Sequence, residues 1–76
     1  MNNIRRKKLA KLYEEIENLK SLLEEIQEEE QEAFDNIPEN LEGTERYEKA
    51  EEAVDNLDAA VDALEDVLDY IEAAQD

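Results

Sequence analysis

In the first half of the chain the apolar positions fall at Leu9, Leu12, Ile16, Leu19, Leu23 and Ile26, followed by Glu30, Ala33 and Ile37. The steps alternate between three and four residues. That is the heptad spacing of a helix with one apolar seam, broken here only at Glu30. The second half repeats the alternation without a break, at Tyr47, Ala50, Val54, Leu57, Val61, Leu64, Leu68 and Ile71. The pattern predicts two long helices, over about residues 3–36 and 45–74, and no strand. Pro38 disfavours helix at the residue before it, so the first helix should stop near Asp35 or Asn36. Gly43 follows, Thr44 is placed to cap the second helix, and Glu45 and Glu48 sit in its positive first turn. The connection, residues 37–44, leaves Glu39 to Glu42 room for a turn of their own.

Folded back on each other, the two seams meet in layers. Ile26 falls opposite Val54, Leu23 opposite Leu57, Leu19 opposite Val61, Ile16 opposite Leu64, Leu12 opposite Leu68 and Leu9 opposite Ile71. No layer requires a slip of register. The flanking residues then pair as Arg6 with Glu72, Tyr13 with Glu65, Lys20 with Asp58 and Gln27 with Glu51. Such pairs select a register more than they stabilise it, because an exposed ion pair contributes about 0–1 kcal/mol. Antiparallel packing also brings the basic start of the first helix beside the acidic end of the second, which relieves two unfavourable helix-dipole contacts at once. The expected fold class is all-α: an antiparallel two-helix coiled-coil hairpin, a single domain, with the option of dimerising into a four-helix bundle.

Composition makes this pattern decisive. Of 76 residues, 24 are Asp or Glu and 8 are Lys or Arg, for a net charge of −16. Leu, Ile, Val and Phe together number 18, close to the roughly 20 % level below which acidic chains are disordered. Spacing, not content, argues for folding. The chain has no Cys and no His, so disulfides, thiolate or imidazole metal sites and Cys or His catalysis are excluded. The negative charge disfavours direct binding to nucleic acid or to anionic lipid. Arg5 to Lys8 look like the start of a signal peptide, but Glu14, Glu15 and Glu17 interrupt the apolar stretch that would have to follow. A cytoplasmic, non-membrane protein without a cofactor is expected. Enzymatic activity is not, because paired carboxylates need a pocket to raise one pKa and two helices enclose none. The acidic connection also lacks the alternating ligands and the glycine of a calcium loop.

Three surfaces are candidates for function. The second helix carries carboxylates at Glu48, Glu51, Asp55, Asp58, Asp62, Glu65, Asp69, Glu72 and Asp76, about 5 Å apart along the axis at ~1.5 Å per residue. Glu51, Asp58, Glu65 and Glu72 flank the seam. Glu48, Asp55, Asp62, Asp69 and Asp76 have no such explanation and form either a solvated face or a surface for a basic partner. A second strip, Ala53, Ala60, Ala63, Val67, Tyr70 and Ala74 with Leu22 of the first helix, either allows close helix approach or docks a second copy or another protein. At the tip, Phe34, Ile37 and Leu41, with Pro38 and Tyr47, either seal the open end or form an apolar knob for a partner's pocket.

The stretch from Glu29, EEQEAFDNIPENLEGTERYEKAEEAVDNLDAAVDAL, resembles small acidic proteins of unknown function from phages and integrated elements of Gram-positive, often gut-dwelling, bacteria. The resemblance spans about the middle half of the chain and rests on Phe34 to Tyr47. It implies a mobile-element setting inside a bacterial host and no catalytic residue. The combined expectation is a non-enzymatic protein-binding module, an inhibitor of a basic host protein that handles nucleic acid. The competing expectation is a self-associating structural or assembly protein whose acidity serves solubility.

Overall fold

The computed structural model describes all 76 residues as two long helices joined by a short turn. Helix α1 runs Asn3–Asp35 and helix α2 runs Glu45–Gln75. Both start where the chain supplies a side-chain acceptor for an orphan amide. The Arg5 amide donates to Asn2 Oδ1 at 2.8 Å, and the Tyr47 amide donates to Thr44 Oγ1 at 3.3 Å. Between them Pro38 opens a single 3-10 turn, Glu39–Leu41, closed by the Leu41 amide donating to the Pro38 carbonyl at 2.9 Å. Gly43 has a φ of +80°, the left-handed conformation that reverses the chain and that a Cβ would strain. The Thr44 hydroxyl donates to the Leu41 carbonyl at 2.6 Å and ties the turn to the helix it caps.

The helices fold back into an antiparallel hairpin, a rod of 59 × 15 × 13 Å. At the tip Phe34 packs on Tyr47, with ring centroids 5.0 Å apart. At the open end Arg6 Nε donates to the Gln75 carbonyl at 3.1 Å. These two contacts belong to one register, in which Leu9 lies level with Ile71, Ile16 with Leu64 and Leu23 with Leu57. The expected axial alignment therefore holds.

The rotation of α1 about its own axis does not. On α2 the predicted seam faces inward along its whole length, and Val54, Val61 and Leu68 form the buried core at 6–7 % exposure. On α1 only Leu9, Ile16 and Leu23 of the predicted seam do so. Leu12, Leu19 and Ile26 are exposed, at 48, 60 and 49 %. Their places opposite Leu68, Val61 and Val54 go to Tyr13, Lys20 and Gln27, which the structure leaves part-buried. The flanking pairs shift accordingly. Lys20 Nζ meets Glu65 at 3.1 Å instead of Asp58, and Gln27 Nε2 donates to Asp58 at 2.6 Å instead of approaching Glu51.

The physical reason lies in the stems. Tyr13, Lys20 and Gln27 can bury carbon against Leu68, Val61 and Val54 while their polar ends reach carboxylates on α2. The same rotation brings Phe34 onto Tyr47. It also leaves three aliphatic side chains of α1 facing solvent.

Candidate functional site

Rotation of α1 divides the rod into two unlike sides. One is polar and cross-linked. Lys20 is only 20 % exposed along its side chain and sits between Glu24 at 3.6 Å and Glu65 at 3.1 Å. The hydrogen bond to Glu65 is the main reason its pKa is raised, with Glu24 adding to it and desolvation opposing it. Nearby, the Tyr13 phenol is pushed above its usual value by desolvation and by the carboxylates of Glu72, Glu17 and Asp69. Glu51, Asp58, Glu65 and Glu72 lie along this seam edge, and all four are exposed.

Beyond that edge, Glu48, Asp55, Asp62, Asp69 and Asp76 continue the acidic side, each exposed. None is ion-paired. The chain's ion pairs are Lys20 with Glu24 and Glu65, and Lys49 with Glu45 at 3.0 Å, so all but three of the 24 acids face solvent without a cation. Each i, i+3 or i, i+4 pair of like charges on a helix costs a few tenths of a kcal/mol. α2 carries that repulsion along its length, and across the seam only Asp58 and Glu65 among its acids find a partner on α1.

The opposite side is apolar. Ala60 is half-buried, Ala63 is exposed, and Val67, Leu22 and Tyr70 are 40, 56 and 77 % exposed. To these predicted residues the structure adds Leu12, Leu19 and Ile26, which sequence periodicity assigns to the core. A signal for their exposure exists. The series Arg6, Leu9, Tyr13, Ile16, Lys20, Leu23, Gln27, Glu30, Phe34, Ile37 alternates three and four equally well, and only that frame takes in Phe34.

At the tip, Phe34, Ile37 and Leu41 are half-buried and Pro38 is exposed. The Phe34–Tyr47 contact places one aromatic ring across the end of the seam.

Two shallow surface depressions mark the rod. One, of about 230 Å³, is lined by Ala10, Tyr13, Glu72 and Gln75; the other, of about 350 Å³, by Lys8, Lys11, Leu12 and Glu15. No three Asp or Glu side chains converge as metal ligands do. No helix is long and apolar enough to cross a membrane. The chain thus offers surfaces, one acidic and one aliphatic, on opposite sides of a rod. No family model matches the chain, and comparison with curated proteins and with solved structures likewise finds no match.

Proposed function

We propose that the protein is a non-enzymatic binding module whose acidic side occupies the basic groove of a protein that handles nucleic acid. The observation that carries this reading is the outer file Glu48, Asp55, Asp62, Asp69 and Asp76, exposed and without a cation from its own chain. These five stand about 10 Å apart, and only with the seam-edge acids Glu51, Asp58, Glu65 and Glu72 between them does the file present a carboxylate about every 5 Å, slightly closer than phosphates along a strand. Asp holds its charge nearer the backbone than Glu does, so the array is stiffer. A cleft built to neutralise phosphates would recognise the same field. Set in the mobile-element context implied by its resemblance, such a module is a counter-defence or host-takeover inhibitor acting in the bacterial cytoplasm. Catalysis has no part in this reading, since a rod of two helices walls off no volume in which a carboxyl could be tuned.

The test is affinity capture from bacterial lysate at low and moderate salt, with a triple Asp55→Asn, Asp62→Asn, Asp69→Asn variant alongside. Capture of a basic nucleic-acid enzyme that is lost with salt and with the triple variant supports the proposal. Capture indifferent to both refutes it. The exposed Leu12, Leu19 and Ile26 favour a second reading, an assembly protein that self-associates while its acids keep it in solution.

A further inference from the structure

The polar cross-links identify what the other side of the rod must hold. Lys20 meets Glu65 and Gln27 meets Asp58 on one side of the seam. Helical geometry then puts Leu12, Leu19 and Ile26 of α1 on the opposite side, next to Ala53, Ala60, Val67 and Ala74 of α2. Leu12, Leu19 and Ile26 are about half exposed or more, and Leu22 and Tyr70 border them. From Ala53 to Ala74 this side of α2, including Asn56, Ala63 and Tyr70, bears no carboxylate. In a chain of charge −16 this strip of α2 runs from residue 53 to residue 74 without an acid, while on α1 Glu15 and Glu29 border the leucines.

We propose that this apolar side is the interface with a second copy of the chain. The two hairpins lie antiparallel in a four-helix bundle, with α1 against the partner's α1 around a two-fold axis at Leu19. The arrangement rests on the second reading above and is independent of the one for the acidic side.

Symmetry favours this arrangement. Leu12 and Ile26 lie seven residues to either side of Leu19. A two-fold axis at Leu19 sets Leu12 beside the partner's Ile26 and Leu19 beside its own copy, so every apolar knob meets an apolar knob. Charge favours it too. Lys8 and Glu30 lie eleven residues to either side of Leu19 on the same face, so the antiparallel arrangement puts Lys8 near the partner's Glu30 at both ends. A parallel arrangement would set Lys8 beside Lys8. It would also stack two tip halves, residues 20–61, each with 15 acids against three cations. Five of the eight cations lie between Arg5 and Lys11, at the open end, where an antiparallel partner's acidic tip would come to rest. The available area is sufficient as well. One side of a rod of 59 × 15 × 13 Å offers about what a standard interface takes from each partner, roughly 800 Å². Only Val54, Val61 and Leu68 are buried within one copy, and the bundle would cover the half-exposed remainder of the seam.

Sedimentation equilibrium over a range from low to high micromolar tests the proposal. The expected result is a shift from 8.8 kDa to twice that mass as concentration rises. A single 8.8 kDa species throughout overturns it. Leu19→Glu should weaken association by roughly a hundredfold or more, since two leucines leave the interface together. It should not alter far-UV circular dichroism in dilute solution, because Leu19 is 60 % exposed in the hairpin. Orientation is read separately by oxidative cross-linking, which the absence of native Cys makes clean. Lys8→Cys mixed with Glu30→Cys should yield a disulfide-linked heterodimer, and Lys8→Cys alone no linked species. Self-linking of Lys8→Cys, without linkage in the mixture, overturns the antiparallel arrangement.

Discussion

Leu68→Ala and Leu12→Ala truncate the same side chain at the same level of the hairpin, yet the structure assigns them different costs. Leu68 is 7 % exposed, so truncation forfeits nearly the whole transfer free energy of the lost atoms. In well-packed cores Leu→Ala costs about 2–5 kcal/mol. Here the lower end applies, about 2–3 kcal/mol, because solvent reaches both edges of a single seam and fills the space left behind. Leu12 is 48 % exposed and leaves no cavity, so its loss should be about 1 kcal/mol or less. A core of this size supplies only ~3–5 kcal/mol in all, so Leu68→Ala should remove about half of the stability. The assay is urea unfolding followed by far-UV ellipticity, in dilute solution to keep self-association out of the measurement. With a slope of about 1 kcal/mol/M, the midpoint should fall by about 2–3 M for Leu68→Ala and by about 1 M or less for Leu12→Ala. Equal shifts would mean that Leu12 faces Leu68 after all, and the rotation of α1 and the aliphatic side would both be refuted. Repeated at high concentration, the Leu12→Ala cost should grow, since the proposed dimer buries that residue.

The remaining predictions concern the turn, the pH response and salt. Gly43→Ala should destabilise by about 1 kcal/mol although no atom lies within 4 Å of the added Cβ, because the φ of +80° is strained for an L residue; an unchanged urea midpoint would contradict this. Thr44→Ala removes the acceptor of the Tyr47 amide and should also cost about 1 kcal/mol on the same assay. Tyr13 and Lys20 both have folded pKa values above their ordinary 10.0 and 10.5. Their contributions are complete below those ordinary values and vanish as pH climbs through the raised ones. A thermal melt series should therefore show stability falling in alkali, and Tyr13→Phe with Lys20→Met should flatten that limb. Added salt should raise the melting temperature and tighten self-association, while it weakens binding to a basic partner.

Much of the fold was legible because α2 needed no tertiary decision. Its apolar series is uninterrupted, Thr44 announces its start, and Pro38 with Gly43 marks the reversal before it. α1 was legible in extent and not in rotation, for a physical reason. Two seams share Leu9, Ile16 and Leu23, one completed by Leu12, Leu19 and Ile26, the other by Tyr13, Lys20 and Gln27. Ranking residues by hydrophobicity selects the first. Within one hairpin the second wins, because long amphipathic stems bury nearly as much carbon and add the Lys20–Glu65 and Gln27–Asp58 bonds. The acidic file was readable as spacing. Which of its members stay free of cations depended on that rotation.

The rotation of α1 also constrains how the surface is used. A chain at −16 repels its own copies, so any self-association must occur where charge is sparse. By turning Lys20 and Gln27 inward to meet Glu65 and Asp58, α1 puts its cross-links on the acidic side and its spare leucines on the other. On α2 hydrocarbon and carboxylate are thereby separated across the seam. Had α1 kept Leu12, Leu19 and Ile26 in the seam, Lys20 and Gln27 would lie out of it and the hairpin would be better buried alone, with no large aliphatic side chain of α1 left over except Ile4 and Leu22. Two copies joined through the leucine side would leave both acidic files on the outer faces of the bundle, pointing apart. Dimerisation and binding of a basic partner would then draw on different residues and respond to salt with opposite sign. Leu19→Glu and the Asp55, Asp62, Asp69 neutralisations should accordingly be separable: each should abolish one association and spare the other.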